Sequence, residues 1–124
     1  MKLRAANPAE LAAVCNVLDG ALLAVDTGGL ARSIDAGDVL VAADCPEGPL
    51  LGVLVLEGTE IRAVAVRRRR RGQGIATALV EAAAAERELL VAEFDERVRP
   101  FWESVRFRIE ALEGTTRLRG VRRT

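Results

Sequence analysis

Apolar and polar residues change their period several times along the chain, and each change marks a new element. Lys2 to Ala6 alternates, which predicts a short first strand. Asn7-Pro8-Ala9-Glu10 then reads as a helix start. Asn7 can cap, Pro8 suits the first helical position, and Glu10 can reach back to the cap. Leu11, Val14, Cys15, Leu18 and Leu22 follow at helical spacing and predict one buried face. Residues 24–37 carry Gly and Asp with weak periodicity, the pattern of a loop or a poorly formed second helix. Val39 to Ala43 predicts a strand, and Cys45-Pro46-Glu47-Gly48-Pro49 a turn. Leu50 to Leu56 is the strongest strand pattern. Glu57-Gly58-Thr59-Glu60 turns the chain, and Ile61 to Val66 is the hairpin partner. A helix is predicted from about Gln73 to Glu88, with Ile75, Leu79 and Ala82 along one side. Leu89 to Phe94 predicts a strand and Arg99 to Val105 a short helix opened by Pro100. Phe107 to Leu112 and Thr116 to Val121 predict a final hairpin about Gly114. The order β-α-β-β-β-α-β-α-β-β predicts an α/β (α+β) chain, a mixed sheet with helices on its faces.

Composition narrows the classes. The 124 residues are 50% hydrophobic, so one globular domain over 1–124 is expected. No apolar run approaches the ~20 residues of a membrane-spanning helix, and Met1-Lys2-Leu3-Arg4 lacks the apolar core of a signal peptide. A cytoplasmic location is expected. The two cysteines make no disulfide framework; Cys15 is expected in the core. Histidine is absent, so no metal site with the usual zinc ligands is expected, and tyrosine is absent too.

Charge is balanced overall but divided along the chain. Residues 1–60 hold three basic and nine acidic side chains, and residues 61–124 hold fifteen and nine. Such a division describes either two solvated surfaces of opposite sign or a chain whose second half meets an anion while its first half attracts a cation.

The chemistry concentrates at residues 66–76, Val-Arg-Arg-Arg-Arg-Arg-Gly-Gln-Gly-Ile-Ala. A strand that enters a Gly-containing turn and opens a helix leaves backbone N–H groups pointing at one spot. The helix dipole makes that spot attractive to anions, by about 0.3–1 kcal/mol per charge. Gly72 and Gly74 allow a ligand close to the main chain. The arginines surround the same place, so the junction reads as a cradle for phosphate or pyrophosphate. A dinucleotide fingerprint does not fit, because its third glycine is missing. The arginine run alone would also suit nucleic acid, but at 3% aromatic residues the protein offers little for base stacking, so no nucleic-acid partner is expected.

On these residues the chain resembles the GNAT (GCN5-related) N-acetyltransferase superfamily. Arg69-Arg70-Arg71-Gly72-Gln73-Gly74 is similar to the family's Arg/Gln-x-x-Gly-x-Gly/Ala signature, and Ile75, Ala76 and Leu79 continue it. Asp95, Val98 and Phe101-Trp102 are spaced like the family's Asn-x-x-Ala-x-x-Phe-Tyr segment, and Phe107 like its later phenylalanine. The resemblance implies acetyl-CoA as co-substrate, in a splayed sheet. It implies that Val64 and Val66 offer backbone groups to the pantetheine arm. It implies that backbone amides from Arg69 to Ala76, including Gln73 and Ile75, receive the pyrophosphate with Thr77 nearby. Arg68 or Arg70 would reach the 3′-phosphate, while Asp95 and Trp102 would line the cofactor.

Three positions depart from the family pattern. Trp102 stands where the family has its tyrosine acid, and indole has no useful acidity. Asp95 stands for asparagine, and Arg106 for the glycine before Phe107. Without His or Tyr, proton transfer falls to carboxylates. Glu60 and Glu57, near the start of the strand carrying the acyl site, are the candidate catalytic bases, acting through water, or else simple hairpin-turn residues. Asp95 is a further candidate. The implied function is an acetyl-CoA-dependent N-acetyltransferase acting on a primary amine of a small molecule or protein. The alternative is a non-catalytic acetyl-CoA sensor docking on a partner enzyme, suggested by the missing tyrosine. A homodimer is compatible with either.

Overall fold

The computed structural model describes residues 1–20, 26–45 and 48–124. Its strands are β1 (Lys2–Ala5), β2 (Val39–Ala43), β3 (Leu50–Glu57), β4 (Glu60–Val66), β5 (Leu89–Asp95), β6 (Arg108–Ala111) and β7 (Arg117–Arg123). They form one sheet in the order β1-β2-β3-β4-β5-β7-β6. Neighbours are antiparallel except β4 and β5, which are parallel. The helices are α1 (Leu11–Gly20), α2 (Thr27–Asp35), α3 (Ile75–Ala85) and α4 (Arg99–Ser104).

Helices cover both faces of the central strands, which is why β3 is apolar at nearly every position rather than at alternate ones. Val53 and Val55 pack with Val14, Leu18, Leu30 and Ile34 of α1 and α2. Leu54 and Leu56 point the other way, into a second core with Leu79, Val80, Ala83, Phe94 and Trp102. Such burial stabilises by roughly 1.5–3 kcal/mol for each large apolar side chain.

The N-terminal signal folds as its residues dictate. Asn7 accepts from the Ala9 N–H, and Glu10 accepts from the Asn7 N–H, closing a capping box before α1. Val14 and Leu18 are buried and Cys15 is half-buried against the same core; Leu22 lies outside the described residues. The stretch expected to be a loop or poor helix is, from Thr27 to Asp35, a regular helix. Asp26 caps it by accepting from Gly28 N–H at 3.2 Å, and Leu30 and Ile34 bury one face. Gly28 and Gly29 in its first turn weakened the periodic signal. In the turn after β2, Cys45 C=O accepts from Gly48 N–H at 3.0 Å; Pro46 and Glu47 lie outside the described residues.

α3 is shorter than the expected Gln73–Glu88 span. Gly74 sits at φ +80° as its N-cap, so the helix begins at Ile75. Its buried side runs through Ile75, Leu79, Val80, Ala83 and Ala84, with Ala82 only half-buried. A Cβ on Gly52 would come within 2.9 Å of Ile75 Cγ2 and 3.2 Å of Leu79 Cδ1. Glycine there lets α3 settle on β3, which sets the helix start beside the end of β4.

Two irregularities open the sheet. The β4–β5 ladder holds only Glu60 opposite Val91 and Ile61 opposite Ala92. On the other side of β4, Val55 faces Ala63 while Leu56 faces Ile61, so Arg62 is an extra residue, a bulge. A bulge bends its strand and adds twist. This one sits where β4 leaves β5, and it also resets the alternation. Ile61, Val64 and Val66 face the α3 side, and Ala63 and Ala65 face α1.

Candidate functional site

The parting strands leave a cleft with backbone groups along one wall. Arg67 N–H donates to Leu51 C=O at 2.8 Å, which marks that pair as hydrogen-bonded. Alternation in an antiparallel ladder then makes Ala65–Val53 a bonded pair, and turns the N–H and C=O of Val64 and Val66 away from β3 toward the gap. Arg71 Nε donates to the Val66 C=O at 3.2 Å, at the cleft's entrance.

The cleft holds a cavity of about 370 Å³, walled by Ile61 and Val64 on one side and Phe94 and Asp95 on the other. Phe101 and Trp102 of α4 line it from below. Trp102 is 7% exposed. It stacks on Phe94 at 5.3 Å between centroids and meets Phe101 and Phe107 edge-on at 5.1 and 4.9 Å. Such pairs add about 0.5–1.5 kcal/mol each beyond burial, so Trp102 is above all a packing residue that presents its rim to the cleft.

At the cleft's other end lies the cradle. Arg68–Arg70 make one 3₁₀ turn, and Gly72 and Gly74 follow at φ +76° and +80°. A Cβ at either glycine would meet nothing within 4 Å, so space above both is open. The first helical bond runs from Ala78 N–H to Gly74 C=O at 2.9 Å. The N–H groups of Ile75, Ala76 and Thr77 therefore lack helical acceptors, and Gly74 has no side chain to cap them. A cavity of about 180 Å³ sits here, bounded by Val66, Arg71, Gly72, Gly74 and Thr77, and it shares Ala76 and Phe101 with the cleft.

The arginines divide into two groups. Arg70 donates to both Asp44 carboxylate oxygens, at 3.1 and 3.2 Å, and to Gln73 Oε1 at 2.9 Å, bracing the turn against the end of β2. Arg68 and Arg69 are exposed and meet no carboxylate among the described residues.

The candidate bases lie beside the cleft rather than in it. Glu60 pairs with Arg62 at 3.1 Å and Glu57 pairs with the same guanidinium at 3.7 Å. Glu57 borders a cavity of about 300 Å³ toward α2, with Asp26 and Ser33. Glu60 borders one of about 210 Å³ with Glu93 and Arg117. Arg62, the bulge residue, borders both of these and the cleft. Asp95 ends β5 and caps the next turn. It accepts from Arg97 N–H at 2.9 Å and Arg97 Nε at 3.0 Å, and those bonds, the backbone one first, hold its carboxyl below the usual carboxylate range.

Sequence reasoning did not single out Arg62, Glu93 or Arg117. Strand periodicity marks them only as solvent positions, and the bulge that gathers them was not visible as a pattern. Among the described residues, no group of three or more His, Cys, Asp or Glu is arranged to hold a metal ion, and no helix is long and apolar enough to cross a membrane.

Residues 45–105, which span this site, match the model of the acetyltransferase (GNAT) family. No curated protein matches the sequence. Solved structures share the fold at low identity. Rv2747 from Mycobacterium tuberculosis, in complex with CoA and NLQ, superposes with TM-score 0.83 at 16% identity, over 100% of this chain and 99% of that one. A GNAT-family acetyltransferase from Listeria monocytogenes gives 0.81 at 12% identity, over 99% and 94%. An aminoglycoside 6′-N-acetyltransferase complexed with coenzyme A gives 0.78 at 14%, over 99% and 97%. Across the Gly72–Gly74 turn the chain thus matches the acetyltransferase (GNAT) family over residues 45–105, within a fold it shares with a solved acetyltransferase of that family.

Proposed function

We propose that the protein transfers an acetyl group from acetyl-CoA to a primary amine of a small molecule or protein. The observation that carries this reading is the continuity of two features. A strand edge with outward-facing backbone groups at Val64 and Val66 runs directly into a helix start whose three N–H groups lack partners. A pantetheine-diphosphate has that same order of parts, an amide-bearing arm followed by paired phosphates. The CoA held by two of the similar structures supports the reading.

The residues fit the co-substrate. Val64 and Val66 would pair with the arm as an added strand would. The amides of the 69–76 segment and Thr77 would take the diphosphate, with open space above Gly72 and Gly74. Arg68 and Arg69 are uncommitted cations for the remaining phosphate, whereas Arg70 is held by Asp44. Asp95 and Trp102 would border the arm.

Acetyl-CoA, when bound, supplies an activated acyl group; the protein supplies position and proton transfer. Glu60, next to the bulge, is the proposed base acting through water, with Glu57 second. Such a base is worth typically ~10²–10⁴-fold. A thiolate departs without an enzymic acid, so burial of Trp102 in an aromatic cluster slows the reaction less than loss of the base would. Asp95 suits a positioning role better, since its carboxylate already serves Arg97. The acting unit is proposed to be residues 1–124 as one domain, cytoplasmic, alone or as a homodimer.

The absence of any ionisable group on Trp102 favours one second reading, an acetyl-CoA sensor without turnover. Thermal shift with acetyl-CoA, followed by thiol release across an amine panel, separates the two. Stabilisation with turnover supports the transferase, and stabilisation without turnover supports the sensor. A ligand at 100 times its dissociation constant should add ~2.7 kcal/mol. No shift at millimolar acetyl-CoA would sink both.

A further inference from the structure

The cavity beside Glu60 differs from the rest of the cleft in carrying charges of both signs. It is bounded by Glu60, Ile61, Arg62, Glu93 and Arg117 and measures about 210 Å³. Ile61, Arg62, Glu93 and Arg117 also border the main cleft, so the two spaces are continuous at the bulge. Glu93 and Arg117 stand on the face of β5 and β7 opposite the one where Phe94 and Leu118 enter the core.

Two of these four charges are already used. Arg62 is shared between Glu60 and Glu57. The other two make no ion pair among the described residues. Arg117 is exposed, and its Nη2 donates to the backbone carbonyl oxygen of Glu93 at 2.9 Å, which draws its guanidinium to the rim of the cavity. Among the described residues it has no carboxylate within 4.0 Å, and the Glu93 carboxylate has no cation within that distance. Asp95, opposite Arg117 in the ladder, is hydrogen-bonded by Arg97 and feels the Arg117 charge only at longer range, with no ion pair between them. A guanidinium with donors to spare can take a carboxylate through two parallel hydrogen bonds. A carboxylate alone in the same space takes an ammonium.

We propose that the acceptor is an α-amino acid whose carboxylate is bound by Arg117 and whose ammonium faces Glu93 and Glu60 at the bulge. The proposal rests on the transferase reading above. It also says which amines are rejected. A di- or polycation would meet two guanidinium groups at Arg62 and Arg117 with only part of the acidic charge free to answer them. In the reaction, the amine nitrogen bonds to the acetyl carbonyl carbon and the carbon–sulfur bond breaks, its electron pair leaving on sulfur. The ammonium sheds two protons in all, relayed by Glu60 through water; one ends on the departing sulfur and one in solvent.

The test measures thiol release from acetyl-CoA with each of the twenty L-amino acids, and with the decarboxylated amine of every one that reacts. Wild type should use the amino acid about 10- to 100-fold better in kcat/KM than its amine, the worth of a charged hydrogen-bonded contact. Arg117→Ala should bring that ratio near one by lowering kcat/KM for the amino acid far more than for its amine. Arg117→Lys should restore part of it. Circular dichroism and a melting temperature like wild type's show that the variant is folded, and a merely structural arginine would lower both rates by the same factor. Equal use of acid and amine by wild type overturns the proposal while leaving the transferase reading intact, and so does turnover with polyamines only. An Arg117→Ala defect confined to succinyl-CoA, with acetyl-CoA unaffected, would move the arginine's ligand to the acyl group and overturn it as well. Failure to bind acetyl-CoA at all would overturn the transferase reading and this proposal together.

Discussion

Ile61 and Ala92 face each other across β4 and β5, and they are the last pair of that parallel ladder among the described residues. One residue later Arg62 bulges from β4, and the strands part. The cleft follows from that point, because a strand edge without a partner strand has backbone groups to offer a ligand.

The edge makes a contrast that proline can read. Val64 N–H faces the gap, while Ala65 N–H belongs to a bonded pair with Val53. Val64→Pro should therefore keep the fold and weaken acetyl-CoA binding about 3- to 10-fold, the loss of one hydrogen bond plus some fit. Ala65→Pro should unfold or strongly destabilise the protein, by ~3 kcal/mol or more. Circular dichroism and calorimetric titration check the pair. Equal damage from both would refute the assigned hydrogen-bond directions.

Glu81 anchors α3 to β7. It accepts from Arg122 at 2.5 and 3.3 Å and from Arg106 at 3.1 Å, and Arg122 is buried and also donates to Val105 C=O. The Arg122 hydrogen bond, above all, holds the Glu81 carboxyl below its ordinary value of 4.5. The folded form thus binds this proton less tightly than the unfolded form. Its stabilisation is complete above pH 4.5 and drains as pH falls through the lower folded value. Glu81→Gln should cost about 1–2 kcal/mol at pH 7, a figure kept small because Glu81 is 40% exposed. In thermal melts the gap between wild type and variant should narrow below about pH 4. A gap constant down to pH 3 would show that the pair does not titrate as described.

Trp102→Ala should cost about 3–5 kcal/mol, since it removes a buried ring touching three others. Trp102→Phe should cost less and leave the rate of acyl transfer nearly unchanged. A large fall in kcat with an intact melting temperature would instead give the indole a chemical role.

Glu60→Gln should lower kcat at least tenfold while leaving acetyl-CoA affinity as it was. Glu57→Gln, at a side chain 76% exposed, should change kcat less than threefold. The reverse order would assign the base to the cavity near α2.

Most of the fold was legible because burial imposes period. The β3–β4 hairpin, the Asn7–Glu10 cap and the glycine turn before α3 each rest on local chemistry that a sequence displays. α2 was less so, since Gly28 and Gly29 dilute its pattern while Leu30 and Ile34 alone carry its buried face. The Arg62 bulge left no mark, because an extra residue in a strand looks like ordinary alternation until the partner strand is seen. For that reason the cradle could be read from residues 66–76, but the gathering of Arg62, Glu93 and Arg117 from three strands could not.

The most direct measurement is calorimetric titration of acetyl-CoA into wild type and Gly72→Glu. Gly72 lies at φ +76° with open space above it, so glutamate there strains the backbone by ~1–2 kcal/mol and sets a carboxylate where the diphosphate would rest. Wild type should bind saturably at one site, and the folded variant should not bind at all. Undiminished binding by Gly72→Glu would contradict a diphosphate seated on this turn, and heat of dilution alone from wild type would contradict acetyl-CoA as the co-substrate.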